Sequence, residues 1–290
     1  MTRPAAVSRA FPSDPFRRNV WPRIAAVALV LYVIYACSQL DVSWDRVQTG
    51  LQNAARFFAR LFPPNFKRWD LLTKGLSESL EIAVLASTLG IILALPIGLC
   101  AARNLMPPWV SWPARLLVVM ARSFHPVIVA IIFVKAVGFG ALAGTLALTV
   151  ASIGFIGKLF TEAIEEISLK QVEAVRATGA PFPSVLAFGV LPQVFSRFIG
   201  FATYQLDSNL RNSTMVGIVG AGGIGGTLFA AFQRFDYDFV CAILIAIITL
   251  IMIGEVLATA VRAIFIENAT FFDLLRPGGK MRRVRHTDDD

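Results

Sequence analysis

The sequence predicts an all-α integral membrane protein of six transmembrane helices with a short external amphipathic helix. Three observations carry that reading. Of 290 residues, 56% are hydrophobic and 16% charged, against about 25% charged in ordinary soluble domains. The apolar residues gather into runs that approach or exceed the roughly 20 helical residues needed to cross ~30 Å of hydrocarbon. The positive residues behind the net charge of +8 cluster at the ends and between those runs, where the orientation rule and anionic phospholipid account for them.

Residues 1–23 form a basic tail with Arg3, Arg9, Arg17, Arg18 and Arg23. The first span, residues 24–40, follows that tail of 23 residues and is longer than the apolar core of a cleaved signal, so it is expected to stay as an anchor. Residues 41–76 form the first external segment. Its Trp44, Val47, Leu51, Ala55, Phe58 and Phe62 recur at three- and four-residue spacing, the pattern of a helix lying on the membrane surface, and Pro63-Pro64 ends it. This segment also carries Arg46, Arg56, Arg60, Lys67, Arg68 and Lys74, against the positive-inside trend, and an interfacial helix reconciles the two only in part.

Further uncharged runs cover residues 82–102, 136–157 and 239–254, and a shorter one lies between Arg122 and Lys135, both near enough to helix ends to snorkel. Val137-Gly-Phe-Gly140 reads as a tight turn joining spans at about 115–137 and 140–158. Residues 194–219 are helix-length but hold Arg197, Asp207, Asn209, Arg211, Asn212 and Ser213, which lipid-facing positions reject. Polar groups at membrane depth face the bundle interior or a watery path. Asp207 and Arg211 stand four apart in the favourable acid-first order, either as an ion pair that fixes packing or as part of a path.

The C-terminal tail, 266–290, holds Arg276, Lys280, Arg282, Arg283 and Arg285. Two basic ends place both termini in the cytoplasm and require an even number of spans. Residues 103–115 and 158–193 are then cytoplasmic, and 138–140 and 220–237 external.

Several chemistries are excluded. Cys37, Cys100 and Cys241 lie within apolar runs without metal-ligand or paired spacing. Gly220-Ala-Gly-Gly-Ile-Gly225 matches the dinucleotide fingerprint by letter, but no alternating strands and helices surround it. Gly154-Phe-Ile-Gly-Lys158 and Gly278-Gly-Lys280 lack the spacing and following hydroxyl of a phosphate-binding loop. With only His125 and His286 there is no histidine-based metal site or Ser-His-Asp set. Nucleic-acid binding is not expected, and His125, before Pro126, reads as a polar interfacial residue at a helix start.

The stretch from Glu173 to Pro192 is polar and proline-broken, two short helices joined by a turn, with no core of its own. Such an insert is suited to being gripped by another protein. It resembles the cytoplasmic EAA loop of binding-protein-dependent ABC importer permeases: Glu173, Ala174, Gly179, Leu191 and Pro192 match at the family's spacing, while Val175 and Gly189 depart from it. Asp207-Ser-Asn-Leu-Arg-Asn-Ser-Thr-Met-Val-Gly-Ile-Val-Gly-Ala-Gly-Gly-Ile-Gly225, Arg176-Ala-Thr-Gly-Ala180, Gly189-Val-Leu-Pro-Gln193 and Phe62-Pro-Pro-Asn-Phe66 are similar to the phosphonate-transport branch. The likeness covers roughly residues 60–265.

The resemblance implies the type I ABC importer permease fold, with a core domain at 77–265 and the EAA coupling loop at 160–193, in a bacterial cytoplasmic (inner) membrane. It implies an ABC ATPase dimer beneath, a substrate-binding protein outside and a second permease copy, with ATP and Mg used by the ATPase and no cofactor on this chain. Glu173, Ala174, Arg176, Gly179, Leu191 and Pro192 are then the coupling residues, with Gly179 turning the chain and Pro192 starting the next membrane helix. A phosphonate, phosphite or phosphate is a tetrahedral anion that calls for guanidinium, amide, hydroxyl and free N–H donors. Asp207, Asn209, Arg211, Asn212, Ser213 and Thr214, with Gly220, Gly222, Gly223 and Gly225, are the candidate path and gate; the glycines alternatively let helices approach closely. The competing class is a secondary transporter or channel working without an ATPase, which often shows inverted repeats not found here.

Overall fold

A computed structural model describes residues 20–40 and 43–266, and these form helices joined by turns. The basic clusters before residue 20 and after residue 266 lie outside the described residues. The chain divides into two units, residues 1–59 and 60–290.

In the first unit, α1 (Trp21–Gln39) carries proline at its start and apolar side chains all round, including the exposed Val27, Leu31 and Ile34. Its 19 residues span about 28 Å, close to the hydrocarbon thickness. The amphipathic helix expected after it is α2 (Trp44–Leu61), which runs to the unit boundary and just past it. Asp45 in its first turn and Arg60 in its last complement the helix dipole.

The second unit is built on α3 (Trp69–Ala101) and α6 (Ala141–Glu165). α3 buries a stripe of small residues, Gly75, Ser79, Ala83, Ala86, Gly90, Ala94, Gly98 and Ala101, at helical spacing. Small side chains let membrane helices touch where there is no hydrophobic force to join them. A Cβ on Gly90 would overlap the Ser152 side chain of α6. α3 starts well before the uncharged run at residue 82, because hydropathy detects only the part in lipid: 33 residues extend about 50 Å, and the charged first turns project beyond the hydrocarbon.

The expected span at 115–137 is not one helix. α4 (Pro108–Ser123) and α5 (Pro126–Val137) meet at a bend of 92°. Pro126 has no N–H to continue the ladder and holds His125 in an extended conformation. His125 caps α5, its Nδ1 accepting from the Val127 N–H at 3.3 Å. Among the described residues, five helices are long and apolar enough to cross a membrane, or six when this bent pair counts as one span.

After α6 come α7 (Leu169–Ala177), α8 (Phe182–Val185), a π-helical turn at Leu186–Val190, and α9 (Leu191–Ile218). The expected external loop at 220–237 contains a further helix, α10 (Ile224–Gln233), followed by α11 (Tyr237–Ile266). The start of α11 is tied to the segment before α3. Asn65 donates from its amide to Asp238 Oδ2 at 2.9 Å, Arg68 pairs with Asp236 at 2.9 Å, and the Arg68 guanidinium lies 4.9 Å from the Phe239 ring centre.

Candidate functional site

The insert at 160–193 has an inner and an outer face. Val172 and Val175 of α7 point down onto Ala102, Ile164, Val185, Val190 and Val194, and Val172, Val185 and Val190 are almost completely buried. The expectation that this segment lacks a core of its own therefore needs sharpening: it uses the ends of α3 and α6 as its core. Glu173, Ala174 and Arg176 face outward and are exposed, as are Gly179, Leu191 and Pro192. Valines three apart go in and the residues between go out, so the helical period alone creates a rigid base under an open polar surface.

Three features fix α7 at that position. Gly179 sits at φ +76°, a left-handed turn that other residues resist. Pro192 has no N–H to bond four residues back, and the wider π turn at Leu186–Val190 lies where that bond is missing. Gln193 then stitches the two ends together: its amide donates to the Gly189 carbonyl at 2.6 Å and its carbonyl oxygen accepts from Ser168 N–H at 3.0 Å. A Cβ on Gly189 would sit 3.3 Å from Val172 Cα, so the glycine lets the α7 backbone lie against the π turn. The sequence marked Gly189 both as a departure from the EAA pattern and, with Gln193, as part of a stretch similar to the phosphonate-transport branch, but gave neither a structural role; an amide one residue after a helix-starting proline was the available signal.

The polar residues of α9 divide between two faces. Gln205, Asn209 and Ser213, four apart, are buried among α3 and α6. Asn209 donates to Ser87 Oγ and Ser152 Oγ, each at 2.9 Å, and accepts from Gln205 at 3.0 Å. Gln205 also donates to Ser152 Oγ at 2.9 Å, and the two serine hydroxyls donate to carbonyls in their own helices. Ser213 donates to the Leu210 carbonyl at 2.8 Å. This network pins three helices together. Ser87 and Ser152 gave no signal, since a serine within an apolar run is unremarkable.

Asp207 and Arg211 form the i,i+4 ion pair anticipated from their spacing. Asp207 is buried, with Oδ1 lacking a hydrogen-bond partner among the described residues, whereas the Arg211 side chain is 45% exposed. Asn212 bonds Ser208 at 3.3 Å. Arg211 thus lies on the open side of α9, and Asn209 and Ser213 on the closed side.

The glycine run packs α10 against α9. A Cβ on Gly225 would overlap the Thr214 carbonyl oxygen, and one on Gly217 would lie 2.5 Å from the Gly222 carbonyl oxygen. Gly220, Gly222 and Gly223 take φ values of +86°, +83° and +80°. Several N–H groups of the run already have acceptors: Gly220 bonds Gly217 at 2.9 Å, Ala221 bonds Val216 at 3.2 Å, and Ile224 bonds Ser79 Oγ at 2.9 Å. The Gly220 carbonyl accepts from Gly140 N–H at 3.1 Å, joining this run to the α5–α6 turn.

Helices of membrane-crossing length and composition, a polar insert seated on their ends and a polar helix beside a glycine turn define a multi-span membrane protein. Residues 94–267 match the family described as the binding-protein-dependent transport system inner membrane component, and the chain belongs to that family. The chain is 37% identical over 258 residues to the phosphate-import permease protein PhnE of Mycolicibacterium smegmatis, covering 86% of this chain and 48% of that protein. It thus spans about half the length of that relative. It is also 37% identical over 250 residues to the phosphite transport system permease protein PtxC of Stutzerimonas stutzeri, covering 84% of this chain and 90% of that one. Among solved structures, an inward-facing form of the MetNI methionine ABC transporter superposes with a TM-score of 0.57 at 24% identity, over 68% of this chain and 99% of that chain. That last likeness establishes the fold, the one expected of a type I importer permease.

Proposed function

We infer that this chain is the permease subunit of an ATP-driven importer carrying phosphonate, or a related oxyanion such as phosphite or phosphate, across the bacterial inner membrane by alternating access. The observation that carries the reading is α7, whose Glu173, Ala174 and Arg176 stand exposed on a buried valine base. A partner ATPase dimer would grip that face, with ATP and Mg bound there and not on this chain. Nucleotide-driven closure would move α7, and the stitch from Gln193 to Ser168 would carry the movement into α9. Coupling is then a bias between two bundle arrangements.

The substrate class is supported by the names of the relatives, phosphate-import and phosphite transport permeases, and by the Arg211 guanidinium on the open face of α9. A second copy of the chain would close the path on that face, a binding protein would deliver the anion from outside, and both termini would lie in the cytoplasm. The test is affinity purification of the tagged chain with uptake of labelled phosphonate, phosphite and phosphate. Copurifying ATPase and binding protein, with uptake abolished by Glu173→Lys, are expected; absence of the ATPase with intact uptake in that variant would refute the reading.

A further inference from the structure

Between the C-terminal end of α3, α4 and the second half of α6 lies a cavity of about 620 Å³ whose lining includes Arg103, Arg115, Arg122 and Lys158 against one carboxylate, Glu162. Arg115 is already engaged, pairing with Glu165 and donating from Nε to the Ala101 carbonyl, the latter at 2.9 Å, and Lys158 lies 3.3 Å from Glu162. Counting Glu165 beside the cavity as a second acid, four cations less two carboxylates still leave two positive charges. The Arg122 guanidinium has no hydrogen-bond or ion-pair partner among the described residues.

Its position against α6 makes this notable. A Cβ on Gly154 would lie 2.7 Å from Arg122 Cγ, and Gly154 is near the middle of the 25-residue α6. Lys158 is one turn further along, and Arg115 and Arg103 sit by the end of α6 at Glu165. Arg103, Arg122 and Lys158 are exposed, so their stems can carry the charges toward water at the membrane boundary, where clustered cations still favour an anionic partner. The last-turn carbonyls of α4 offset part of the Arg122 charge, but the row of cations from mid-helix to helix end remains under-compensated. Planar guanidinium groups and an ammonium around one space match the oxygen array of a phosphoryl group.

We propose that this cavity binds a phosphoryl oxyanion, with Arg122 and Lys158 as its principal ligands and Arg103 at its rim. The site is separate from the segment at 207–225 and does not depend on which solute the chain transports. The oxyanion has two sources, a free inorganic phosphate or the headgroup of an anionic phospholipid. The test uses the full-length protein purified in detergent. Binding of inorganic phosphate is followed by 31P line broadening, and retention of phosphatidylglycerol by native mass spectrometry. Arg122→Gln and Lys158→Gln should each weaken one of these by about tenfold or more, the loss of a charge-assisted contact, while Arg122→Lys retains most of it. Arg197→Gln, which removes a cation outside the cavity, should change neither. Loss of phosphate broadening alone assigns a soluble anion, and loss of lipid retention alone assigns a headgroup. Wild-type protein that binds neither, or Gln variants indistinguishable from wild type in both, would overturn the proposal.

Discussion

Gln193 at the start of α9 and Ser168 at the start of α7 are joined by a hydrogen bond of 3.0 Å from the Ser168 N–H to the Gln193 side-chain oxygen. The same amide donates to Gly189 at 2.6 Å, so one side chain holds the exposed helix and the π turn in register. Under the proposed function α7 must transmit displacement, and a loose joint would absorb it.

Gln193→Ala should therefore uncouple more than it unfolds. Three hydrogen bonds are lost at a partly exposed site, two with Ser168 and one with Gly189, worth about 1–3 kcal/mol together. The expected outcome is faster amide exchange confined to α7, with near-normal amounts of protein in the membrane and reduced uptake per ATP hydrolysed. Unchanged exchange in α7 would remove Gln193 from this role.

Asn209 tests the buried network. Hydrogen bonds between membrane helices average about 0.6 kcal/mol and reach about 1.7, so Asn209→Ala should cost about 1–3 kcal/mol through its contacts with Ser87, Ser152 and Gln205. Asn209→Asp should cost more, because it places a carboxylate among neighbours arranged for an amide. Thermal unfolding of the two variants in detergent, ranked Ala above Asp, is the check.

Much of this arrangement was legible in the sequence, and the gaps have physical causes. Hydropathy located the spans because lipid enforces apolar runs, yet it missed the first turns of α3, which lie beyond lipid. It also merged α4 with α5, since Pro126 breaks a helix without changing its polarity. The matching positions from Glu173 to Pro192 marked the segment that stands exposed on a buried valine base, and Gly179 turns where its residue type required. What stayed hidden depends on partners distant in sequence: Ser87 and Ser152 acquire meaning only beside Asn209, and the cations Arg103, Arg115, Arg122 and Lys158 meet only when α4 folds onto α6. The glycine run was read both as path and as packing, and α10 could not be foreseen from a segment too short to span.

Gly225 separates those two uses of glycine. Gly225→Ala drives a methyl into the Thr214 carbonyl oxygen, whereas Gly226→Ala meets only the Gly217 carbonyl oxygen at 3.4 Å. Overpacking of this kind costs about 1–3 kcal/mol. Gly225→Ala should lower stability and displace α10, and Gly226→Ala should leave stability nearly unchanged. Equal tolerance of both would argue that α10 does not depend on close packing against α9.

The Asp207–Arg211 pair yields the sharpest test of the path, because a structural pair and a substrate ligand respond differently to being removed together. Asp207 is buried and Arg211 is 45% exposed, so Arg211→Ala leaves a carboxylate in the bundle without its counter-charge, while Asp207→Asn with Arg211→Gln removes both charges and keeps the shape. The single variant should be the less stable of the two, by a margin that the exposure of Arg211 keeps modest. If the pair only fixes packing, the double variant should recover uptake along with stability. If the guanidinium meets the anion, the double variant should assemble normally and still transport poorly, with the half-saturating substrate concentration raised. Uptake kinetics of the two variants, normalised to assembled complex, distinguish these outcomes, and full recovery in the double variant would remove Arg211 from the path.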